Sequence, residues 1–509
     1  MSNVRTNAEL TEVTAAGLRW ITYARFGTEL LLLASMVALA RLIPPAAFGM
    51  FAIAVIVQEL AVNIPSEGVG GAIVQRRNVH REHLQGGLAF SLLVGTGLSA
   101  LALLLATVLV QPLFGDETAS LVMLSTPWFL LGAIAAVPMA VLRRRLDFRR
   151  LSLLGLTQSV IRALTSIVLA AAFGLDASAL VLGGLAGMVA MVALALIFAP
   201  VPLPRWRTSA VRDLLHYGGP AALGSLSWVG FRNGDYAIIG ARLGAAQAGF
   251  YWRGFQLAVE YQTKISTIMS QMAFPVLART AGADAMFELR QRMVRLLTVV
   301  VFPLLASLVL LAPVVVPWLF GPAWEPAVLP TQILAGAGAT TVVIDAVGTV
   351  LMAAGRTRAL LGYGVAHFVV YASAVLIAST RGLAAVCVAA VTVHVIFMVV
   401  AYAVLLRGRP ERPLRLLWDD VSAATVGCVA LVAAAWPTEK LLGNADAPPL
   451  VHVLVVGAVA AVAYLVALRV FSPSSARDLA TLLRRVLPVE RVQALVGRKP
   501  RPSSAVSRA

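Results

Sequence analysis

The chain has little charge, few aromatic residues and almost no cysteine, and each shortage excludes a class of protein. Charged residues make up 13% of its 509 residues and aromatic residues 7%, and there are only two cysteines. A soluble globular domain has about 25% charged residues, so this composition excludes one. Cys387 and Cys428 both fall inside apolar segments, which gives no indication of a disulfide framework. What the chain does have is long apolar runs: 59% of its residues are hydrophobic, and its mean hydropathy is +0.85.

These runs form fourteen segments that are long enough to cross a membrane as helices. About 20 apolar residues are needed for a hydrocarbon core of about 30 Å. No segment shows strand alternation, and lipid-facing backbone must satisfy its own hydrogen bonds, so the sequence predicts an all-α polytopic membrane protein. The predicted spans are Leu18–Leu42, Phe48–Ile64, Leu84–Val110, Leu121–Leu142, Leu151–Phe173, Ala179–Ala199, Leu214–Ala241, Gly249–Met272, Leu296–Phe320, Ala327–Met352, Leu360–Ala378, Leu383–Leu406, Val421–Trp436 and Leu450–Val470.

Basic residues outnumber acidic ones by 41 to 24, and most of them fall in every second gap between spans. Thirty-two lie on the side that holds both termini, four on the other side and five within spans. Because positive residues resist translocation, we predict that both termini are cytoplasmic. The net charge of +17 then follows from topology, and no nucleic-acid partner is expected. Trp128, Trp318, Trp324 and Trp436 fall near the outer ends of spans, where they are predicted to be interfacial anchors.

Three local sequence matches recur at an offset of about 200 residues. Ala40-Arg41-Leu42 with Phe48-Gly49 matches Ala241-Arg242-Leu243 with Ala248-Gly249, and Leu113-Phe114-Gly115 matches Leu319-Phe320-Gly321. The third match joins Arg149-Arg150-Leu151 to Arg358-Ala359-Leu360. This period predicts two parallel six-helix copies with a cavity between them. The predicted regions are an N-terminal tail (1–17), an N-lobe (18–200), a linker (201–213), a C-lobe (214–406), two extra helices (407–471) and a basic tail (472–509).

The same segments resemble those of a known family. Ala-Arg-Leu followed by Phe-Gly, then Gly68-Val69-Gly70-Gly71-Ala72-Ile73-Val74-Gln75-Arg76 and Arg143-Arg144-Arg145-Leu146-Asp147-Phe148-Arg149, resemble bacterial polysaccharide and O-antigen flippases. These flippases belong to the multidrug/oligosaccharidyl-lipid/polysaccharide exporter superfamily, and the resemblance covers about residues 17–410. It implies a two-lobed inner-membrane transporter, not an enzyme, that moves undecaprenyl-diphosphate-linked oligosaccharide to the outer leaflet by alternating access. It also implies the lipid bilayer and the polysaccharide polymerase machinery as partners.

Charges inside the spans point to a site, because an ionised group at mid-bilayer costs at least about 2.5 kcal/mol. Arg25 and Glu29, Glu260 and Lys264, and Arg232 and Asp235 are at helical spacing and can form pairs, whereas Arg162 and Arg253 have no acid at that spacing. A guanidinium fork matches phosphate oxygens bidentately. We therefore predict that the diphosphate is bound by Arg25, Arg232, Arg253 and Lys264, with Arg253 the foremost of the four. Static ion pairs between helices are the alternative reading.

The acids within the spans are predicted to line the same cavity or to couple transport to H⁺ or Na⁺. They are Glu29, Glu59, Asp235, Glu260 and Asp345. Glu59 and Glu260 are related by an offset of 201. No cofactor or metal is expected, since the chain lacks a Walker loop and a His-Glu-x-x-His pair. Two other functions stay open from the residues alone: a cation-coupled drug antiporter of the same superfamily, and a membrane glycan polymerase or ligase.

Overall fold

A computed structural model describes residues 27–280, 283–407, 410–445 and 447–486. Those residues form fifteen helices in chain order. They are α1 (27–42), α2 (Pro45–Gln75), α3 (Arg81–Phe114), α4 (Asp116–Arg144), α5 (Phe148–Phe173), α6 (Ala177–Phe198), α7 (Thr208–Leu243), α8 (245–279), α9 (Ala283–Phe320), α10 (Pro322–Ala353), α11 (Thr357–Arg381), α12 (Leu383–Leu405), α13 (Pro413–Asn444), α14 (Pro449–Phe471) and α15 (Pro473–Val486). The prediction of an all-helical membrane protein is confirmed.

Eleven helices of the described residues are long and apolar enough to span a membrane by length and composition, against the fourteen segments predicted. The three predicted segments that do not meet these criteria correspond to α1, α7 and α8. Helix α1 has only 16 described residues, while α7 and α8 carry Arg232, Asp235, Arg253 and Lys264. Two of the three helices that fall short thus carry most of the predicted cation site.

The chain divides into two compact units. Unit 1 comprises residues 1–257, 313–334 and 366–393, and its described part contains α1 to α7 with segments of α8 to α12. Unit 2 comprises residues 258–312, 335–365 and 394–509, and it holds the remaining segments of those helices together with α13, α14 and α15.

Small residues permit close helix packing in unit 1, as between α5 and α6. A Cβ added to Gly187 of α6 would lie 2.5 Å from the Gln158 backbone oxygen and 3.1 Å from the Cβ of Arg162, both on α5. A Cβ on Gly183, one turn earlier, would lie 2.8 Å from the Arg162 backbone oxygen. Lipid tails supply no hydrophobic drive between helices, so such small-residue contacts are a main source of their association. Arg162 is thereby half-buried in this helix pair.

Two turns of the predicted repeat have the same backbone conformation. Gly115, between α3 and α4, has φ 84° and ψ 171°, and Gly321, between α9 and α10, has φ 99° and ψ 165°. Only glycine adopts this region at low cost, which explains why both Leu-Phe segments are followed by glycine.

The arginine-rich turn between α4 and α5 has a different device. Leu146 has φ 56°, in the left-handed region, and the next residue, Asp147, accepts a hydrogen bond at 3.2 Å from the Arg150 backbone nitrogen. Asp147 thus caps the N-terminus of α5.

Arginines also cap helix C-termini. Arg144 donates to four backbone oxygens at the end of α2, those of Ile73, Val74, Arg76 and Arg77. Arg356 likewise donates to the backbone oxygens of Val404, Leu405 and Arg407 at the end of α12, at 3.3, 2.8 and 2.9 Å. The last carbonyls of a helix have no partner within it, so these guanidinium groups satisfy acceptors that would otherwise lack one.

The tryptophans do not all lie where the sequence predicts. Trp318 is 36% exposed and Trp436 is 50% exposed, as interfacial anchors are. Trp128 and Trp324 are 5% and 0% exposed, so the prediction that they are anchors is wrong. Both side chains pack inside the protein. Position at the end of a span does not determine which way a side chain points.

Candidate functional site

Helix α7 places two polar residues beside a carboxylate of α2. The Nδ2 atom of Asn233 donates to Oε2 of Glu59 at 2.9 Å, and Nη2 of Arg232 lies 3.9 Å from Oε1 of Glu59. The Arg232 side chain is 43% exposed and that of Glu59 is 25% exposed. The guanidinium of Arg232 is therefore accessible from outside the protein, and it is oriented by a carboxylate that Asn233 also binds.

Asp235, one turn of α7 from Arg232, belongs to a separate and buried cluster. Its Oδ2 accepts hydrogen bonds from the hydroxyls of Tyr251 at 2.8 Å and Tyr371 at 3.0 Å, and its Oδ1 accepts one from the Tyr236 backbone nitrogen at 2.9 Å. The two hydroxyl oxygens are 3.1 Å apart. Asp235 is 4% exposed, Tyr251 0% and Tyr371 7%. Three helices, α7, α8 and α11, thus converge on one carboxylate.

This arrangement differs from the pairing that helical spacing predicts. Arg232 and Asp235 are three residues apart, yet Arg232 lies beside Glu59, and Asp235 accepts its hydrogen bonds from tyrosines. Spacing along one helix identifies which groups can meet, but competing partners on neighbouring helices decide which do. The tyrosines carry no charge, so the pattern of charges within the spans does not indicate them. Their position inside spans is the one signal that the sequence offers.

Arg253, the residue that the sequence ranked first, is 0% exposed. Its Nη1 donates to Oε1 of Gln256 at 2.9 Å. Its Cζ atom lies 4.8 Å from the ring centre of Phe48, 5.6 Å from that of Trp252, 4.7 Å from that of Phe320 and 4.7 Å from that of Trp324. Cation–π attraction extends to about 6 Å and strengthens when the cation is desolvated, so four rings stabilise this guanidinium. We call these four rings with Arg253 the arginine cage.

The other predicted site residues are distributed over both units, and Arg25 lies outside the described residues. Glu29 is half-buried on α1 in unit 1. In unit 2, Glu260 is half-buried, and Nζ of Lys264 lies 4.9 Å from the ring centre of Tyr261.

Asp345, also in unit 2, is half-buried on α10. The hydroxyls of Thr340 and Thr341 donate to the backbone oxygen of Ala337 at 2.9 and 2.8 Å, so they do not serve as donors to this acid. Hydrogen bonds from these two threonines therefore do not explain why an acid occurs at position 345.

Unit 2 contains a buried ion pair that the sequence does not reveal. Arg290 of α9 binds the carboxylate of Asp420 on α13 through both terminal nitrogens, and the Tyr402 hydroxyl donates to the same carboxylate at 2.6 Å. Arg290 is 1% exposed and Asp420 0%. The charge pattern assigned Arg290 to the exposed basic residues that orient the chain, because its partner is 130 residues away.

Comparison with known proteins relates this geometry to a family. The family model described as "Polysaccharide biosynthesis protein" matches residues 38–329. The lipopolysaccharide biosynthesis protein WzxC of Escherichia coli (strain K12) is 26% identical over 412 residues, which cover 78% of this chain and 82% of that protein. The teichuronic acid biosynthesis protein TuaB of Bacillus subtilis (strain 168) is 26% identical over 320 residues, which cover 59% of this chain and 65% of that protein.

The fold is also that of solved transporters. The structure described as "Lipid II flippase MurJ, inward closed conformation" aligns with a TM-score of 0.68 and 15% identity, over 90% of this chain and 99% of that one. An inward-facing multidrug resistance MATE family transporter aligns with a TM-score of 0.59 and 17% identity, over 78% of this chain and 95% of that one. At these identities the likeness establishes the fold alone.

Proposed function

The chain belongs to the family of polysaccharide biosynthesis proteins, as a membrane transporter and not an enzyme, and from that premise we propose that it is a flippase for lipid-linked oligosaccharides. It moves an undecaprenyl-diphosphate-linked repeat unit of a surface polysaccharide from the cytoplasmic to the outer leaflet by alternating access. The names of two sequence relatives support this substrate class, since they concern lipopolysaccharide and teichuronic acid biosynthesis. A glycan polymerase or ligase is excluded with the other enzymes.

The observation that carries the proposal is the accessible guanidinium of Arg232 on α7, a predicted span that is not among the eleven most apolar helices. An exposed guanidinium has several donors, so it can bind an anionic ligand while it lies beside Glu59. Glu59 and Asn233 hold the group in position without removing it from solvent access. A diphosphate offers oxygens that a guanidinium fork binds in two places at once, which a drug-like cation does not.

We propose that Arg25, Arg232, Arg253 and Lys264 bind the diphosphate, and we now rank Arg232 first. Arg253 is enclosed by rings, so it contacts substrate only when the arginine cage has opened. For Lys264 and Arg25 the proposal rests on their positions within predicted spans.

For coupling to H⁺ or Na⁺ we propose Asp235 ahead of Glu29, Glu59, Glu260 and Asp345. A buried carboxylate with two tyrosyl donors is a position where binding of a small cation is felt by three helices at once. Cation binding there changes the charge that α7, α8 and α11 share, and this connects the ion to helix movement.

We further propose that the protein lies in the bacterial inner membrane with cytoplasmic termini and supplies the polymerase machinery at the outer leaflet. The orientation rests on the 32 basic residues on one side. Helix α15, which is strongly amphipathic, then lies along the anionic inner leaflet.

Leaflet-specific labelling of lipid-linked sugar, in cells with and without the chain, tests the function. We expect outer-leaflet sugar to fall when the chain is deleted, and to remain low with Arg232→Ala at equal membrane abundance. Arg232→Lys keeps a charge without the fork and is expected to restore part of the export. The control is Arg381→Ala, which changes an exposed arginine at the C-terminal end of α11. Unchanged outer-leaflet labelling after deletion would overturn the function, and normal export by Arg232→Ala would overturn only the site.

A further inference from the structure

The arginine cage joins segments that are far apart in sequence. The Phe48 ring belongs to α2, Trp252 and Arg253 to α8, Phe320 to the end of α9 and Trp324 to the start of α10. All of these residues lie in unit 1 and in predicted outer ends of spans. Aromatic contacts connect the rings directly, since the centres of Phe48 and Trp324 are 5.2 Å apart and those of Phe48 and Trp252 are 5.8 Å apart. A residue of the first half of the chain is thereby enclosed with residues of the second half.

Hydrogen bonds in both directions connect α1 to the end of α9 and the start of α10. The Nε and Nη2 atoms of Arg41 donate to the backbone oxygens of Leu319 at 3.0 Å and Trp318 at 2.6 Å, at the C-terminus of α9. In return, Nε1 of Trp324 donates to the backbone oxygen of Ala40 at 2.8 Å. A cation at a helix C-terminus is favoured by the helix dipole as well as by its hydrogen bonds. The Ala-Arg pair of the sequence motif is therefore a connection between helices.

A reciprocal glycine contact brings the backbones of α2 and α8 together beside the cage. A Cβ added to Gly49 would lie 1.8 Å from the Ala245 backbone oxygen, and one added to Gly249 would lie 2.0 Å from the Pro45 backbone oxygen. Gly49 thus faces the residue one turn before Gly249, and Gly249 faces the residue one turn before Gly49. The contact is the same in both directions. No larger residue fits at this crossing, so the sequence of both halves permits close approach at this end.

We propose that the cage together with Arg41, which we call the outer latch, holds the outer ends of α1 and α2 against α8, α9 and α10, and that it must separate before the transported molecule leaves on the outer side. This inference rests on the proposed alternating access. Arg253 is then a positioning residue whose enclosure by rings keeps the outer side shut. Opening exposes four aromatic rings and breaks their contacts with the guanidinium, together with the hydrogen bonds of Arg41 and Trp324. Rehydration of the guanidinium offsets part of this cost, and energy from substrate or ion binding supplies the rest.

The inner ends of the same unit have a weaker connection. Arg76, at the end of α2, pairs with Asp213 of α7 at 2.8 Å, but the two side chains are 35% and 46% exposed. Gly68 and Gly218 add a backbone contact there without enclosing a charged group. Exposed ion pairs contribute less than desolvated cation–π contacts. We therefore expect the empty protein to open toward the cytoplasmic side more readily than toward the outer side.

Distances between spin labels test the outer latch without any substrate. Nitroxides are attached at Glu117→Cys and Thr380→Cys, two exposed residues of unit 1 in predicted outer turns, in a full-length chain with Cys387→Ala and Cys428→Ala. In lipid nanodiscs we expect one main short distance for the otherwise unchanged protein. Arg253→Ala is expected to transfer population to longer distances, and Arg41→Gln to do so to a smaller extent. The control Arg150→Ala removes one arginine–ring contact, with Phe198 at 5.3 Å, and an ion pair with Asp147 at 3.3 Å, both away from the latch, and is expected to change nothing.

Distributions that are identical in the parent, Arg253→Ala and Arg41→Gln would overturn the latch. Should Arg253→Ala fail to fold, as judged by size-exclusion chromatography, Arg41→Gln decides, because Arg41 is exposed and its removal leaves no internal cavity. An equal shift in the Arg150→Ala control would also overturn the proposal. Since no glycan is present, these outcomes are independent of the flippase assignment, which the leaflet labelling tests separately.

Discussion

Replacing Arg290 by methionine should destabilise the protein strongly, because it leaves the Asp420 carboxylate buried without its cation. Arg290 and Asp420 are 1% and 0% exposed, and Tyr402 provides the carboxylate with one hydroxyl donor. Removing one partner of a buried ion pair costs about 3 to 5 kcal/mol. We place Arg290→Met within this range, at its lower end since the Tyr402 hydrogen bond remains.

The neighbouring ion pair supplies a matched control two residues along the same helix. Arg292 pairs with Asp478 at 2.9 Å, but the side chains are 64% and 33% exposed. Exposed pairs contribute about 0 to 1 kcal/mol, so Arg292→Met should have a small effect. The double variant Arg290→Met with Asp420→Leu removes both charges and should recover much of the loss, because apolar replacement of a whole buried pair is often neutral.

Reversible unfolding of the purified protein in detergent, followed by tryptophan fluorescence, measures the free energies of unfolding of the parent and of each variant. The parent, Arg290→Met, Asp420→Leu and the double variant form a cycle whose coupling energy isolates the pair. Equal effects of Arg290→Met and Arg292→Met would refute the reasoning. A double variant as unstable as the sum of its single variants would refute it as well.

Three other predictions follow from the described contacts. Asp235→Asn keeps the shape of the acceptor but removes its charge, so export should lose its dependence on a pH or sodium gradient while the protein stays folded; an unchanged gradient dependence in vesicles would contradict this. Gly187→Leu should cost about 1 to 3 kcal/mol in the same unfolding assay, since its Cβ meets α5 backbone, whereas Gly155→Ala, which faces open space, should cost nothing. Glu59→Gln should weaken export less than Arg232→Ala, because Glu59 orients the guanidinium of Arg232 and does not itself bind phosphate. A larger loss of export in Glu59→Gln than in Arg232→Ala would contradict these roles.

Most helices were predictable from sequence because bilayer thickness imposes a length and hydropathy that eleven of them show by themselves. The side-chain partners were not. Asp235 and Arg232 satisfy the spacing rule for a pair, but Tyr251 and Tyr371 donate to Asp235, and Glu59 lies beside Arg232, each from another helix. The two tyrosines are 16 and 136 residues away from Asp235 along the chain, and no local pattern encodes them.

Burial was the second property that the sequence did not reveal. Arg253 and Trp324 occur where an exposed cavity cation and an interfacial anchor are expected, and they pack against each other instead. Arg290 occurs among basic residues that look topogenic, yet it is enclosed with Asp420. Charge counts report the side of the membrane on which a residue lies. They do not report whether it faces water there, since that depends on packing between helices.

The helix-capping arginines add a constraint on how this chain can change over evolution. Arg144 and Arg356 are among the basic residues from which the orientation is predicted, and each also donates to carbonyls that end a neighbouring helix. A substitution that conserves charge, such as lysine, keeps the insertion signal but replaces a planar group of several donors by a compact one. We therefore expect lysine at these two positions to keep the charge but to lose some of the hydrogen bonds to the helix ends. At Arg144 and Arg356 the choice of arginine thus has a structural cause in addition to an electrostatic one.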